Sequence, residues 1–344
     1  MTAPAPAGGA ADPAAAMLFV LGPTASGKTR LGVELARRFG GEIVSFDSRQ
    51  VYRGLDLGSG KDLAEYAATA AGAPAVPHHL IDVADPTAAA AFDLHQFLGL
   101  AREAVRDVRN RGRLPVGVGG SVLYVKAFLE DYDLPGGPPQ PEIRAELDLL
   151  SDAELAARLA RLAPDLAARA DYSQRIRLLR AVEIAMSRAA APSVARTETL
   201  TLELRPLLLA PYFPRKEIHA RIAARLEARM AAGMLEESAE LHRRGVTWER
   251  LESFGLEYRA AAQHLQGRIS LEEMREQLLI KIRGFCRSQD IWFRKLERAG
   301  HVIHWIPGGD PDRAAALMEK FLAGAPLPPP ELRLADIYYG PKSA

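Results

Sequence analysis

Residues 22–29 read Gly-Pro-Thr-Ala-Ser-Gly-Lys-Thr, the spacing G-x-x-x-x-G-K-[ST]. Glycine at each end lets backbone N–H groups turn toward an anion with no Cβ in the way. The lysine adds a mobile cation, and the threonine hydroxyl is a hard oxygen donor suited to Mg²⁺. Gly22, Thr24, Ala25, Ser26, Gly27, Lys28 and Thr29 are therefore expected to cradle a di- or triphosphate. Thr29 is expected to meet Mg²⁺ directly or through water. The motif says that a polyphosphate binds and leaves open which one.

A second stretch, Asp47-Ser48-Arg49-Gln50-Val51-Tyr52, follows a short apolar run. In an open parallel sheet, ligands collect where strands end, so a carboxylate here can be a base or a metal partner. It can equally cap a helix, and position alone does not separate the two. The Gln50 amide can pair with N6 and N7 of an adenine, or face solvent. Arg221, Arg225 and Arg229 recur every four residues and share one helix face; for the latter two a solvated stripe is the expectation. His78 and His79 are neighbours, so on a strand they point to opposite faces and are read as structural.

Between Arg275 and Arg298, seven Lys/Arg stand against three Asp/Glu, interleaved with Phe285, Trp292 and Phe293. The basic face suits an RNA backbone, while the aromatics are expected in the core. Arg175, Arg177 and Arg180 form a second basic cluster.

These groups need a scaffold. Met17–Leu21, Glu42–Phe46, His79–Val83, Leu114–Val118 and Leu207–Ala210 read as strands. Amphipathic stretches lie between them, such as Phe92–Arg111, which stops at Gly112. The alternation predicts an α/β fold with a parallel sheet flanked by helices. Residues 134–203 open on Leu-Pro-Gly-Gly-Pro-Pro-Gln-Pro and continue rich in Ala, Leu and Arg, which predicts a helical insertion domain. The core is expected to comprise 17–133 and 204–325, with residues 215–306 mostly helical. Residues 1–16 are expected to be a disordered lead-in and 326–344 a poorly ordered Pro-rich tail.

The 344 residues carry 25% charged and 48% hydrophobic side chains and a formal net charge of +1, the profile of an ordinary globular protein. An RNA surface must then come from local segregation of charge. The single cysteine, Cys286, excludes an internal disulfide and a cysteine metal cluster, in keeping with a cytoplasmic location. No apolar run approaches a membrane span.

Taken together, the sequence resembles the tRNA dimethylallyltransferase (tRNA isopentenyltransferase) family. The resemblance is carried by GPTASGKT at 22–29, DSRQVYRGLDLGSGK at 47–61, PHHLID at 77–82, Gly119-Gly120-Ser121 with Leu123-Tyr124, Arg177 with Arg180-Ala181, and His219-Ala-Arg221-Ile222. The chain departs from the family pattern at Val122, at Ser173-Gln174 and at Ser288. The resemblance implies a P-loop NTPase-like core and Mg²⁺-assisted transfer of a dimethylallyl group from its pyrophosphate to N6 of the adenosine 3′ of the anticodon. It implies that Asp47 acts on the N6 amine, that Thr24 donates to the bridging oxygen and that Arg221 stabilises the leaving group. It also implies that Asp47, Ser48, Arg49, Gln50, Ser121, Arg175, Arg177 and Arg180 meet the tRNA anticodon stem-loop. The expected state is a cytoplasmic monomer. A small-molecule kinase using ATP, a prenyltransferase acting on free adenine nucleotides and a nucleotide-sensing RNA-binding protein are the alternatives.

Overall fold

The computed structural model describes residues 15–88, 90–132, 140–168, 170, 172–190 and 202–337. The expected lead-in up to residue 14, and the final seven residues, lie outside the described residues. The chain divides into two compact units. One comprises Met1–Ala88, Glu103–Leu129 and Glu203–Ala344, the other Ala89–Arg102 and Glu130–Leu202.

Along the chain come β1 (Ala16–Leu21), α1 (Lys28–Phe39), β2 (Gly41–Ser45), β3 (His78–His79), α2 (Leu94–Asn110), β4 (Leu114–Gly119) and α3 (Val122–Leu129). Four helices follow in the second unit: α4 (Pro141–Asp148), α5 (Asp152–Leu162), α6 (Pro164–Ala167) and α7 (Arg175–Ala190). The first unit resumes with β5 (Arg205–Tyr212), α8 (Arg215–Ala231), α9 (Met234–Arg243), α10 (Trp248–Ser253), α11 (Leu256–Leu265), α12 (Leu271–Arg298), β6 (Ile303–Pro307) and α13 (Pro311–Leu322).

The six strands form one sheet in the order β3-β2-β4-β1-β5-β6, every pairing parallel. β1 is buried along its whole length, as a strand covered on both faces must be. One core joins the sheet to α1 and α13 through Leu18, Val20, Leu31, Leu35, Val116, Leu209 and Met318. Phe19, Phe46 and Phe128 meet edge to face, with centroids 5.2–6.2 Å apart. α8, α11 and α12 share another core built on Ile222, Leu226, Ala260, Leu278 and Ile282. In the second unit, α4 to α7 bury Leu147, Leu155, Leu159, Leu178 and Val182 among themselves.

Three stretches differ from the sequence reading. β3 stops after two residues because Leu80 and Asp82 turn left-handed, with φ of 63° and 58°. The chain beyond them bonds to residues 50–53, through Asp82 N–H to the Gln50 carbonyl and Ala84 N–H to the Val51 carbonyl. β6 closes the stretch 215–306, which the sequence reading gives as mostly helical without singling out a strand. It is buried along four of its five residues, so it shows no alternation to betray a strand. The Pro-rich tail is docked through Ile337: the buried Glu297 carboxylate accepts from Leu334 N (3.2 Å), Ala335 N (2.7 Å) and the Trp305 indole (2.8 Å).

Candidate active site at the strand ends

Strand register sets the site. Leu21 pairs with Gly119, and Ser45 with Val118. The turns that follow β1, β2 and β4 therefore start at one level and face one another. A Cβ on Gly119 would collide with the Phe46 carbonyl, so only glycine lets these two strand ends come so close. Ser121 N–H closes the gap by donating to that same carbonyl at 3.3 Å.

The turns border a cavity of about 820 Å³. Thr24, Ala25, Gly27, Lys28, Thr29, Asp47, Ser48, Arg49, Gln50, Ser121 and Arg221, all singled out from sequence, line it together. Its rim also carries Leu256, Ile282, Phe285 and Trp292. Seven Lys/Arg against four Asp/Glu border the cavity, a surplus of three positive charges that matches the charge of a diphosphate.

Gly22 and Ser26 belong to the loop but lie behind it. A Cβ on Gly22 would sit 2.6 Å from the Ser26 hydroxyl, and that hydroxyl is buried without a hydrogen-bond partner among the described residues. Gly27, with φ of 80°, starts α1, and a Cβ there would press on Arg221. The Thr24 amide is taken by Gln289 (2.9 Å) and the Ser26 amide by the Pro23 carbonyl (3.4 Å). The first amides of α1 are left for an anion. Burial, and next the nearby Arg225, pushes Lys28 down to about 8 against the opposing pull of Asp47 and Asp62.

Asp47 caps and faces the cavity at once. Its Oδ1 accepts from Arg49 N (2.9 Å) and Gln50 N (3.4 Å), an Asx turn that fixes the carboxylate. Oδ2 makes no hydrogen bond among the described residues. The Ser121 hydroxyl accepts from Ser48 N at 3.1 Å, and Arg49 donates to the Phe254 carbonyl and, at 2.7 Å, to the Ser48 hydroxyl. The Gln50 carboxamide accepts from Ser45 Oγ (2.9 Å) and donates to the Gly60 carbonyl (3.0 Å), so it fastens β2 to the Gly58–Gly60 turn.

On α8, Arg221 donates to the Ala25 carbonyl at 3.0 Å and lies over the Phe213 ring. Arg225 and Arg229 are not the solvated stripe expected: both line the cavity. Arg225 reaches Thr24 Oγ1 (3.5 Å) and Asp62 (3.1 Å). Sequence reasoning also passed over three anchors. Gln289 links the Thr24 amide to the Gly120 carbonyl (3.0 Å). The Glu237 carboxylate accepts from the amides of Asp56, Leu57 and Gly58 and from the Tyr258 hydroxyl. Lys61, fully buried, donates to Asp56 (2.6 Å), to the Tyr52 carbonyl (2.9 Å) and to Asp82. A lysine after two glycines carries no signal of such burial.

In the second unit, Arg175 is committed to Asp152 (2.5 Å) and to the carbonyls of Asp148 and Leu150. Arg180 donates at 2.8 Å to the fully buried Glu183. Both therefore hold their own unit together, and Arg177 is the exposed member of that cluster. On α12, Lys281, Arg287, Lys295 and Arg298 are exposed and Phe293 is core; Phe285 and Trp292, expected in the core, are 48% and 40% exposed. His79 pairs with Glu42 (2.8 Å) and His78 packs on Tyr66, both structural. Burial pushes Cys286 up to about 12, so its thiol stays protonated.

No group of three or more His, Cys, Asp or Glu that could hold a metal occurs among the described residues. Thr29, at the head of α1 beside Lys28, is an oxygen donor of the sort Mg²⁺ uses when substrate phosphates and water supply the rest of its ligands. No helix among the described residues is long and apolar enough to cross a membrane.

Fold and site thus define a P-loop-like α/β protein in which a glycine-spaced loop at a helix start faces a fixed carboxylate. The IPP transferase family model matches residues 50–296, and an isopentenyl transferase model matches residues 15–70. The chain is 46% identical over 301 residues to tRNA dimethylallyltransferase 1 of Geotalea uraniireducens, covering 87% of this chain and 95% of that one. It is 46% identical to tRNA dimethylallyltransferase 2 of Syntrophotalea carbinolica, covering 86% and 95%. Among solved structures, the tRNA isopentenylpyrophosphate transferase of Bacillus halodurans superposes with a TM-score of 0.62 at 29% identity, covering 90% of this chain and 96% of its own. A eukaryotic dimethylallyltransferase acting on tRNA shares the fold, with a TM-score of 0.74 at 21% identity over 91% and 80%. The chain belongs to the IPP transferase family of prenyltransferases.

Proposed function

We propose that the protein transfers a dimethylallyl group from dimethylallyl pyrophosphate to N6 of the adenosine 3′ of the anticodon in tRNA, releasing pyrophosphate. One observation carries this reading: a single cavity joins a phosphate loop with surplus positive charge, a fixed carboxylate with a free oxygen, and an apolar rim. A diphosphate ester of a short hydrocarbon, attacked by an amine, needs those three features.

Breaking the allylic C–O bond sends charge onto the diphosphate, so preorganised donors there lower the barrier. Lys28, the first amides of α1 and Arg221 serve that role. The Thr24 hydroxyl accepts from Arg225 and keeps its own proton to donate to the bridging oxygen. Mg²⁺, when bound with the diphosphate near Thr29, neutralises part of its charge. Asp47 Oδ2 orients the N6 amine and accepts its proton, while Oδ1 stays fixed by the turn. The target base must leave its stack to enter. Gln50 holds the cavity wall by its present bonds and keeps one amide hydrogen for the adenine edge. Ser48, Arg49 and Ser121 border the acceptor side, and exposed Arg177 and the α12 face meet RNA phosphates.

The test is incubation of the protein with labelled dimethylallyl pyrophosphate, Mg²⁺ and an unmodified anticodon stem-loop, followed by nucleoside analysis. The expected product is N6-dimethylallyladenosine, with no nucleotide required. ATP turnover without prenyl transfer would instead identify a kinase, and equal use of free AMP would remove the tRNA from the reading. The same reading makes the protein a monomer, which gel filtration of the purified protein checks, and places it in the cytoplasm, which cell fractionation checks.

A further inference from the structure

Arg229 is a buried cation short of partners. It lies two turns beyond Arg221 on α8, its side chain is 12% exposed, and it lines the cavity. Among the described residues its nearest carboxylate, Glu257, stands 4.0 Å from Nη1, at the outer limit of an ion pair, and Nη2 is buried with no hydrogen-bond partner. A like charge is its other neighbour: a Cβ on Gly60 would collide with Nη2 of both Arg225 and Arg229, so two guanidiniums crowd one point. Arg225 continues from there to Thr24 in the phosphate loop. Thr24, Ala25, Arg225 and Arg229 also border a small recess beside the main cavity.

A buried cation without full acceptors, set against another cation, is costly while the site is empty. An anion with several oxygens removes that cost by accepting from both guanidiniums. Asp62 pairs with Arg225 at 3.1 Å and attracts Arg229 from farther off, but among the described residues no carboxylate comes within 3.5 Å of Arg229.

We propose that Arg229 is a further diphosphate-binding residue, working with Arg225 from the Thr24 side of the loop. The proposal rests on the cavity being the diphosphate site. As charge gathers on the leaving group, Arg229 exchanges its distant carboxylate for a phosphate oxygen, and pyrophosphate release restores the crowded pair. The competing role is structural, a tie from α8 to α11 through Glu257.

Titration calorimetry with pyrophosphate and Mg²⁺ separates the two without requiring turnover. Arg229→Met, which keeps the stem and removes the charge, is expected to weaken pyrophosphate binding tenfold or more, with Arg229→Lys in between. Glu257→Gln, which removes the competing carboxylate, is expected to bind pyrophosphate at least as tightly as the parent. Binding of Arg229→Met within twofold of the parent overturns the proposal. So does a loss in Glu257→Gln equal to that in Arg229→Met, the mark of a structural tie. Should Arg229→Met fail to fold, the Arg229→Lys and Glu257→Gln pair decides in the same way. Lys28→Ala is the control for the site itself: if it too leaves pyrophosphate binding intact, the diphosphate reading of the cavity falls, whereas its loss beside an unaffected Arg229→Met rejects Arg229 alone.

Discussion

The Asp47 carboxylate is committed on one oxygen to the turn it caps and uncommitted on the other, which reconciles two roles that sequence position left level. Asp47→Asn keeps the acceptor for the cap and removes the base. Prenyl transfer is expected to fall by about 10²–10⁴-fold, with stem-loop binding retained within a few-fold by fluorescence anisotropy; a variant with near-parent turnover would reject Asp47 as the base. Lys28 carries a pH dependence. Burial and Arg225 lower it to about 8 in the empty site, and a bound diphosphate favours its charged form, so binding takes up a proton above that pH. The Lys28 contribution to pyrophosphate affinity is therefore fully present below about 8 and falls as pH rises through it. Lys28→Arg stays charged throughout, so the affinity gap between parent and variant should widen from neutral to alkaline pH in calorimetry. Parallel curves would show that Lys28 does not titrate at the site.

At the scale of elements, the site depends on side chains that bridge them. Gln289, in the middle of α12, ties the loop after β1 to the turn after β4. Gln289→Leu leaves the Thr24 amide unpaired, at about 1–3 kcal/mol when buried, and leaves the Gly120 carbonyl with Val122 N–H (3.1 Å) as its remaining donor. The expected result is a lower melting temperature together with a raised KM for the donor. Loss of stability with an unchanged donor KM would show that α12 does not position the loop. Glu237 and Lys61 do the same for residues 52–61, one gathering three backbone amides and the other joining two carboxylates. The segment next to Asp47 is thus held by a helix nearly 200 residues later in the chain.

At the scale of the molecule, a net charge of +1 gives no general attraction to RNA, so the proposed RNA contact depends on local charge, and α12 is the element proposed to supply most of it. Its exposed cations stand beside exposed Phe285 and Trp292 at the cavity rim. Replacing both Lys281 and Arg287 with alanine is expected to weaken stem-loop binding. It should also make the plot of log affinity against log salt shallower by about 1–2 units, with pyrophosphate affinity unchanged. An unaltered salt slope would place the RNA elsewhere.

The amino-acid order alone determined the glycine-spaced loop ahead of a helix, the parallel α/β class and the place of Asp47, because each depends on local rules: glycine spacing, strand–helix alternation, and a carboxylate where a strand ends. It left Arg225 and Arg229 indistinguishable from a solvated stripe, gave no sign of Gln289, Glu237 or Lys61 as anchors, and did not single out β6 as a strand. Those features arise from which helix lies over which strand end, and from burial that removes periodic signals. Only the tertiary structure brings residues 24, 62, 225 and 229 together, since the cost of crowding like charges exists only once the chain has closed around them.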